Sequence, residues 1–204
     1  MKVIIQHINK KICIIFLLIS AFPFFLTAQI YDTLEDLRDG NVYLTIKIGE
    51  QHWMAENLNY QIKRGSSCYA DEKQNCNTYG RLYSWDVADT VCPAGWHAST
   101  QNDWQQLINY FGGTESAGMH LKLKSPLWKN QNPDDDNSSG FSAIPGGKRN
   151  HFNHSQSLGY YAYFWIADYS GEFAWCAFIS CTGKNIEFTS IPTVSGLSIR
   201  CVKN

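Results

Sequence analysis

The sequence has no G-x-S-x-G elbow, no glycine-rich nucleotide loop and no H-E-x-x-H pair. The short signatures of an α/β-hydrolase serine, a phosphate cradle and a helical zinc protease are therefore missing. It also lacks a basic stripe: 17 Lys and Arg stand against 18 Asp and Glu, and nothing in their distribution offers the footprint that a nucleic-acid backbone needs. No segment repeats and no tract is of low complexity. No apolar run reaches the about 20 residues that a bilayer span requires; the run from Ile12 to Thr27 has 16 residues and is interrupted by Pro23. Acid pairs for glycoside hydrolysis need be close only in space, and nothing in the sequence marks one.

What is present begins with a basic leader, Lys2, Lys10 and Lys11, followed by that apolar run and the small residue Ala28. This is the grammar of a secretory signal peptide over residues 1–28, cleaved after Ala28. Cys13 precedes the apolar run rather than following it, which does not fit a lipid attachment site. Removal of the leader leaves about 176 residues, the size of one domain, with fourteen basic against eighteen acidic side chains and a formal charge of −4. Six cysteines remain: Cys68, Cys76, Cys92, Cys176, Cys181 and Cys201. An even number in an oxidising compartment reads as disulfides, with 15 full pairings open. All seven Trp and eleven Tyr, and seven of the chain's eleven Phe, lie beyond the leader and supply the aromatic area of a core.

Residues 29–41, QIYDTLEDLRDGN, are short and acidic and read as a lead-in. In VYLTIKIGEQHWMAENLNY the residues Val42, Leu44, Ile46 and Ile48 alternate as on one face of a strand. Gly49-Glu50 then reads as a turn, with Gln51 to Met54 returning as the second arm of a hairpin. SSCYADEKQNCNTYG is loop-like, and a Cys68–Cys76 bridge would close a small surface loop. RLYSWDVAD reads as a helix. Thr100 and Asp103 are spaced as a capping box, ahead of the helical stripe Trp104, Leu107, Ile108 and Phe111 and the stop Gly112-Gly113. Gly113 to Gly147 reads as long ordered loops. YYAYFWIAD, EFAWCAFIS, NIEFTS and LSIRCV are short aromatic and β-branched runs separated by turns, the pattern of an antiparallel sheet.

Five blocks, VYLTIKIGEQHWMAENLNY, CYADEKQNCNTYGRLYSWDVA, CPAGWHASTQNDWQQL, NSSGFSAIPGGKR and LSIRCV, occur in an order and spacing that resemble the Fibrobacter succinogenes major paralogous domain family, from about Val42 to Lys203. The chain departs from the family's usual pattern in its additional Cys176 and Cys181, and in HASTQNDW, where the usual form is nearer HVPSDAEW. That family is similar to the C-type lectin-like fold and, through it, to the formylglycine-generating sulfatase-modifying enzymes. The resemblance implies an α+β domain over residues 42–204, with two helices packed on an irregular antiparallel sheet, long loops and termini that lie close together. It implies an exported bacterial protein, often surface-associated. It also implies two bridges, Cys68–Cys76 and Cys92–Cys201, the second tying the corner before the capped helix to the last strand.

Each candidate site has two readings. Cys176 and Cys181 match the spacing of the catalytic cysteines of sulfatase-modifying enzymes, which points to a reactive or metal-binding thiol pair. The intervening Ala177 to Ser180, however, hold no charged partner to lower a thiol pKa. The favoured reading is structural, a third disulfide or two unrelated buried thiols, with full pairing of the six cysteines fitting the first. One continuous strand would place positions i and i+5 on opposite faces about 17 Å apart, so that bridge requires a turn, which SCTG would supply. Asp134, Asp135 and Asp136 offer oxygens to Ca²⁺, but three adjacent acids do not readily face one ion, and NPD at 132–134 only echoes the sugar-binding triplets of calcium-dependent lectins. A solvated acidic loop is the favoured reading. His151 and His154 form H-x-x-H in a loop-like context without a third zinc ligand, and His97 is expected to hydrogen-bond locally. No catalytic residue, cofactor or metal is assigned. The expectation is a secreted or surface-exposed, non-catalytic binding or adhesion module for a glycan or protein partner. The alternatives are an oxidoreductase of the sulfatase-modifying type using Cys176 and Cys181, and a structural envelope component. For a glycan, Trp128, Trp165 and Trp175 are the candidates for stacking, with core packing the expected use of most of them.

Overall fold

The computed structural model describes residues 29–168 and 171–204; the signal-peptide expectation for residues 1–28 lies outside them. The chain opens with a meander of three antiparallel strands, β1 (Tyr31–Asp36), β2 (Asn41–Ile48) and β3 (Gln51–Met54). The hairpin turn at Gly49 takes φ of 58°, a left-handed conformation that glycine adopts without a Cβ clash. The acidic segment expected to be a lead-in is thus largely strand β1, paired along its whole length with β2. Next come β4 (Ser66–Ser67), α1 (Lys73–Tyr79), β5 (Leu82–Tyr83) and the single turn α2 (Trp85–Ala88). The helix expected over residues 81–89 is therefore split: Leu82 and Tyr83 pair with Ser67 and Ser66, and only Trp85–Ala88 is helical.

After β6 (Trp96–Ala98) comes α3 (Gln101–Tyr110), and here the capping box forms in full. The Thr100 hydroxyl accepts from the Asp103 backbone N–H at 3.2 Å, and the Asp103 carboxylate accepts from the Thr100 N–H at 2.8 Å. A further helix, α4 (Thr114–Leu121), follows at once in a stretch expected to be loop, so the described residues hold four α-helices where the resemblance implied two. Its small residues conceal its apolar stripe, and Gly118 marks a crossing where the helix lies against the backbone of Lys184 and Asn185. The remaining strands are β7 (Lys148–Arg149), β8 (Ser155–Gln156), β9 (Tyr161–Trp165), β10 (Phe173–Ser180), β11 (Glu187–Pro192) and β12 (Cys201–Lys203).

Two larger antiparallel sheets result, beside the two-stranded pairs β4-β5 and β7-β8. One has the order β1-β2-β3-β12-β6, and the other β11-β10-β9. The last strand is thus inserted between β3 and β6, not added to the aromatic sheet.

The core has two parts. In one, the α3 stripe Trp104, Leu107 and Ile108 packs with Ile46, Ile48, Trp53, Phe141, Phe164, Ala177 and Ile179. In the other, Tyr43, Met54, Leu58, Tyr83, Trp165, Cys176, Ile191 and Cys201 pack together. Strand β2 serves both parts, which explains why the face drawn from its alternation is only half buried. Ile46 and Ile48 face α3, whereas Val42 and Leu44 are exposed and Tyr43 turns to the second cluster.

Arg200 joins the two parts. Its side chain is wholly buried and donates to Asn57 Oδ1 at 2.7 Å and to the carbonyls of Met54, Phe141 and Ser142 at 2.9, 2.6 and 3.1 Å. Burial pulls its pKa down to about 9, which leaves it a cation at neutral pH. It is satisfied by these carbonyls and by the face of Phe141, whose ring centroid lies 4.5 Å from the guanidinium carbon.

Candidate functional site

Cys68 is bridged to Cys76 and Cys92 to Cys201, with Cα separations of 5.0 and 6.0 Å. Both pairings implied by the resemblance are present. The third is not: Cys176 and Cys181 are free and buried. The turn that a bridge requires does not intervene, because β10 runs unbroken through Ser180 and Cys181 is the residue after it. Cys176 packs in the second core cluster and Cys181 in the first, as alternation on one strand dictates. They cannot close on one another or on one metal ion. Burial pushes the Cys176 thiol up to about 12 against the opposing pull of Lys148, the reverse of what a nucleophilic thiolate needs.

Of the three acids of the 134–136 run, Asp134 and Asp136 are exposed, as a solvated loop requires, and only Asp135 is buried. They diverge to three separate partners. Asp134 pairs with Lys184, Asp135 lies 2.8 Å from the Lys122 ammonium with both side chains at 0 % exposure, and Asp136 is 3.1 Å from His120. Lys122 also donates to the carbonyls of Ser180 and Cys181 at 3.2 and 3.3 Å and to that of Gly183. It therefore pins the loop after β10 to the end of α4. Burial raises the Asp135 pKa and Lys122 opposes it; for Asp136 the hydrogen bonds from Ser138 and the nearby His120 outweigh burial and lower it. Among the described residues, no group of three or more His, Cys, Asp or Glu side chains is arranged to hold a metal ion.

His97 is held locally. Its Nδ1 is 2.7 Å from Asn204 Oδ1 and its Nε2 is 3.0 Å from Asp103 Oδ2. The Thr100 hydroxyl donates to the same carboxylate oxygen at 2.6 Å. The carboxylate sits between hydroxyl and imidazole, whereas nucleophilic catalysis needs the base in the middle. His151 and His154 lie exposed in the β7–β8 loop, His151 with its ring 3.9 Å from that of Phe152.

Of the three tryptophans considered for stacking, Trp128 and Trp165 are 4 % and 0 % exposed, and Trp175 is 49 % exposed. Alternation along β10 places Phe173 and Trp175 on one face, and Phe188, opposite Ala177 on β11, falls on the same face. Phe173 and Phe188 are 52 % and 37 % exposed. The face that packs on the α3 cluster at Ala177 and Ile179 thus runs outward into an aromatic strip, with Ser190 directly across from Trp175. Sequence alternation could have paired Phe173 with Trp175; the place of Phe188 needs the register. A separate cleft of about 550 Å³ is bordered by Tyr31, Val42, Leu44, Glu56, Tyr79 and Arg200, but its one buried charge is already committed to the carbonyls above.

These features define a disulfide-bonded α+β domain that has an exposed aromatic sheet face and in which the candidate catalytic groups serve as structural contacts. The chain belongs to the Fibrobacter succinogenes major domain family, whose family model matches residues 46–203. No curated protein and no solved structure matches it. The two disulfides are consistent with an exported protein, and among the described residues no helix is long and apolar enough to cross a membrane.

Proposed function

We propose that this protein is a non-catalytic binding module of C-type-lectin-like fold, acting outside the cytoplasm, and that the strip of Trp175, Phe173 and Phe188 receives a glycan. The observation that carries the reading is Trp175, half exposed in the middle of a long strand. Its indole offers a flat apolar face beside the polar Ser190, the combination that suits a sugar ring with apolar C–H faces and a hydroxyl rim. Exposed aromatic patches of this kind are unusual on a surface that binds nothing. The lectin-like fold is supported by the first and last strands sharing one sheet, as expected of a fold whose ends lie together. Recognition on this strip is independent of calcium, because Asp134, Asp135 and Asp136 point to three different partners, Lys184, Lys122 and His120, rather than to one ion.

A glycan array probed with the exported chain, in calcium and in chelator, tests the reading. The expected result is a defined set of bound glycans, unchanged by chelation and lost in Trp175→Ala. A blank array for the unaltered protein would leave a structural envelope role instead. Binding that persists in Trp175→Ala would place recognition elsewhere on the molecule.

A further inference from the structure

The opposite face of the three-stranded sheet carries a pocket separate from the aromatic strip. Tyr163 on β9 and Phe178 on β10 are paired in register on this face, with ring centroids 5.6 Å apart. The short β7–β8 hairpin borders them and leaves a pocket of about 420 Å³, within the range of small-ligand sites. The aromatic pair forms part of its lining. Lys148 stands over the Tyr163 ring, its ammonium 4.7 Å from the centroid, and makes no ion pair among the described residues. Asn150, His151 and Gln156 come from the hairpin, and Thr189 and Ile191 from β11. Ser195 also lines the pocket; it is 1 % exposed and its hydroxyl has no hydrogen-bond partner. A buried hydroxyl left in that state costs about 1–3 kcal/mol, which a ligand hydroxyl would offset.

Lys148 is the charged residue of the walls; no Asp or Glu lines the pocket. Glu187 pairs with Phe178 on the neighbouring strand but lies outside the wall, and Arg149 turns away to Asp71. We infer that this pocket binds a uronic-acid residue, a sugar ring bearing a carboxylate. The ring stacks on the part-exposed Phe178, while Tyr163, itself buried, backs Phe178 and holds the Lys148 ammonium. Its carboxylate takes a charge-assisted hydrogen bond from Lys148, stronger than the cation–π contact it supplements. Its hydroxyls are met by Ser195 and the amides of Asn150 and Gln156.

Calorimetric titration of the exported chain with trigalacturonate and with its neutral methyl ester tests this. The acid is expected to bind at least about tenfold more tightly than the ester, and added salt should narrow the gap. Lys148→Gln, with an unchanged melting temperature, should abolish the preference. Ser195→Ala should weaken both ligands, and Trp175→Ala should bind both as the unaltered protein does. Equal binding of acid and ester, no binding of either, or a preference that survives in folded Lys148→Gln would overturn the inference. So would loss of binding in Trp175→Ala, which would assign the ligand to the strip on the other face.

Discussion

Cys92 and Cys201 stand 109 residues apart in sequence and 6.0 Å apart between Cα atoms. The bridge ties the corner before β6 to the first residue of β12, two strands that are neighbours in the larger sheet. A cross-link that closes so long a loop restricts the unfolded chain strongly, by about 4–5 kcal/mol on the chain-entropy model, against roughly 2.5 kcal/mol for the eight-residue separation of Cys68 and Cys76. Replacing Cys92 and Cys201 together by serine should therefore lower unfolding stability about twice as much as replacing Cys68 and Cys76. Urea unfolding of the two double variants checks the order, and a larger loss from the short loop would contradict it.

Lys122 and Asp135 form a pair that is wholly out of water. Removing one partner leaves a buried charge alone, which costs about 3–5 kcal/mol. Asp135→Ala should be that destabilising. The double variant Lys122→Met with Asp135→Leu should recover much of the loss, because apolar residues of similar volume need no counter-charge. Denaturant midpoints for the three proteins decide the matter; a single variant as stable as the original would mean the pair contributes nothing.

The Cys176 thiol should be inert in the folded protein. Ellman's reagent at pH 8 is expected to find no reactive thiol in the native mature chain and two after unfolding in guanidinium, those of Cys176 and Cys181. The same burial predicts a pH dependence. The folded pKa is raised from 9.0 to about 12, so the unfolded state loses this proton first. The contribution is intact below pH 9 and is lost as pH rises through the window from 9 to 12. It amounts to at most roughly 4 kcal/mol. Comparison with Cys176→Ala isolates it: the gap between the two stability curves should shrink with rising pH, and a constant gap would refute the assignment.

Gly118 permits the approach of α4 to the loop after β10. A methyl group at this position would meet the Asn185 carbonyl well inside van der Waals contact, with the Lys184 carbonyl at 2.8 Å. Both neighbours are backbone and neither yields as a side chain does. Gly118→Ala should cost about 1–3 kcal/mol, although alanine is the better helix former. A rise in melting temperature would show that the crossing relaxes freely.

The elements legible in the sequence are those whose signals are local. The α3 stripe and its capping box, the Gly49 turn and the aromatic strands all declare themselves within a dozen residues, and each is found in the structure. α4 did not, because Gly118 and the alanine beside it serve a close crossing rather than a broad apolar stripe. β1 reads as acidic surface because it is an edge strand, where charges are common and blunt unwanted pairing. Val42 and Leu44 misled because alternation gives the face and not what covers it. At the sites, the two bridges came with the family resemblance, but the Cys176–Cys181 question turned on whether β10 bends before or after Ser180. The divergence of Asp134, Asp135 and Asp136 depends on Lys184, Lys122 and His120, all distant in sequence, and no spacing rule reaches them. Lys148, Tyr163 and Ser195 meet only because a hairpin folds back over a sheet face.

β10 also has a bearing on how the protein reaches its final bonding pattern. Exchange between sulfurs needs a thiolate to approach an existing bridge in line. In an oxidising milieu, an unpaired cysteine is the usual agent of scrambling. Here the strand lodges one such residue in each of the two core clusters, both shut off from solvent, with Cys176 in the cluster that also holds Cys201. Once it is in place, the correct pairs can be rearranged only by a molecule that first comes apart.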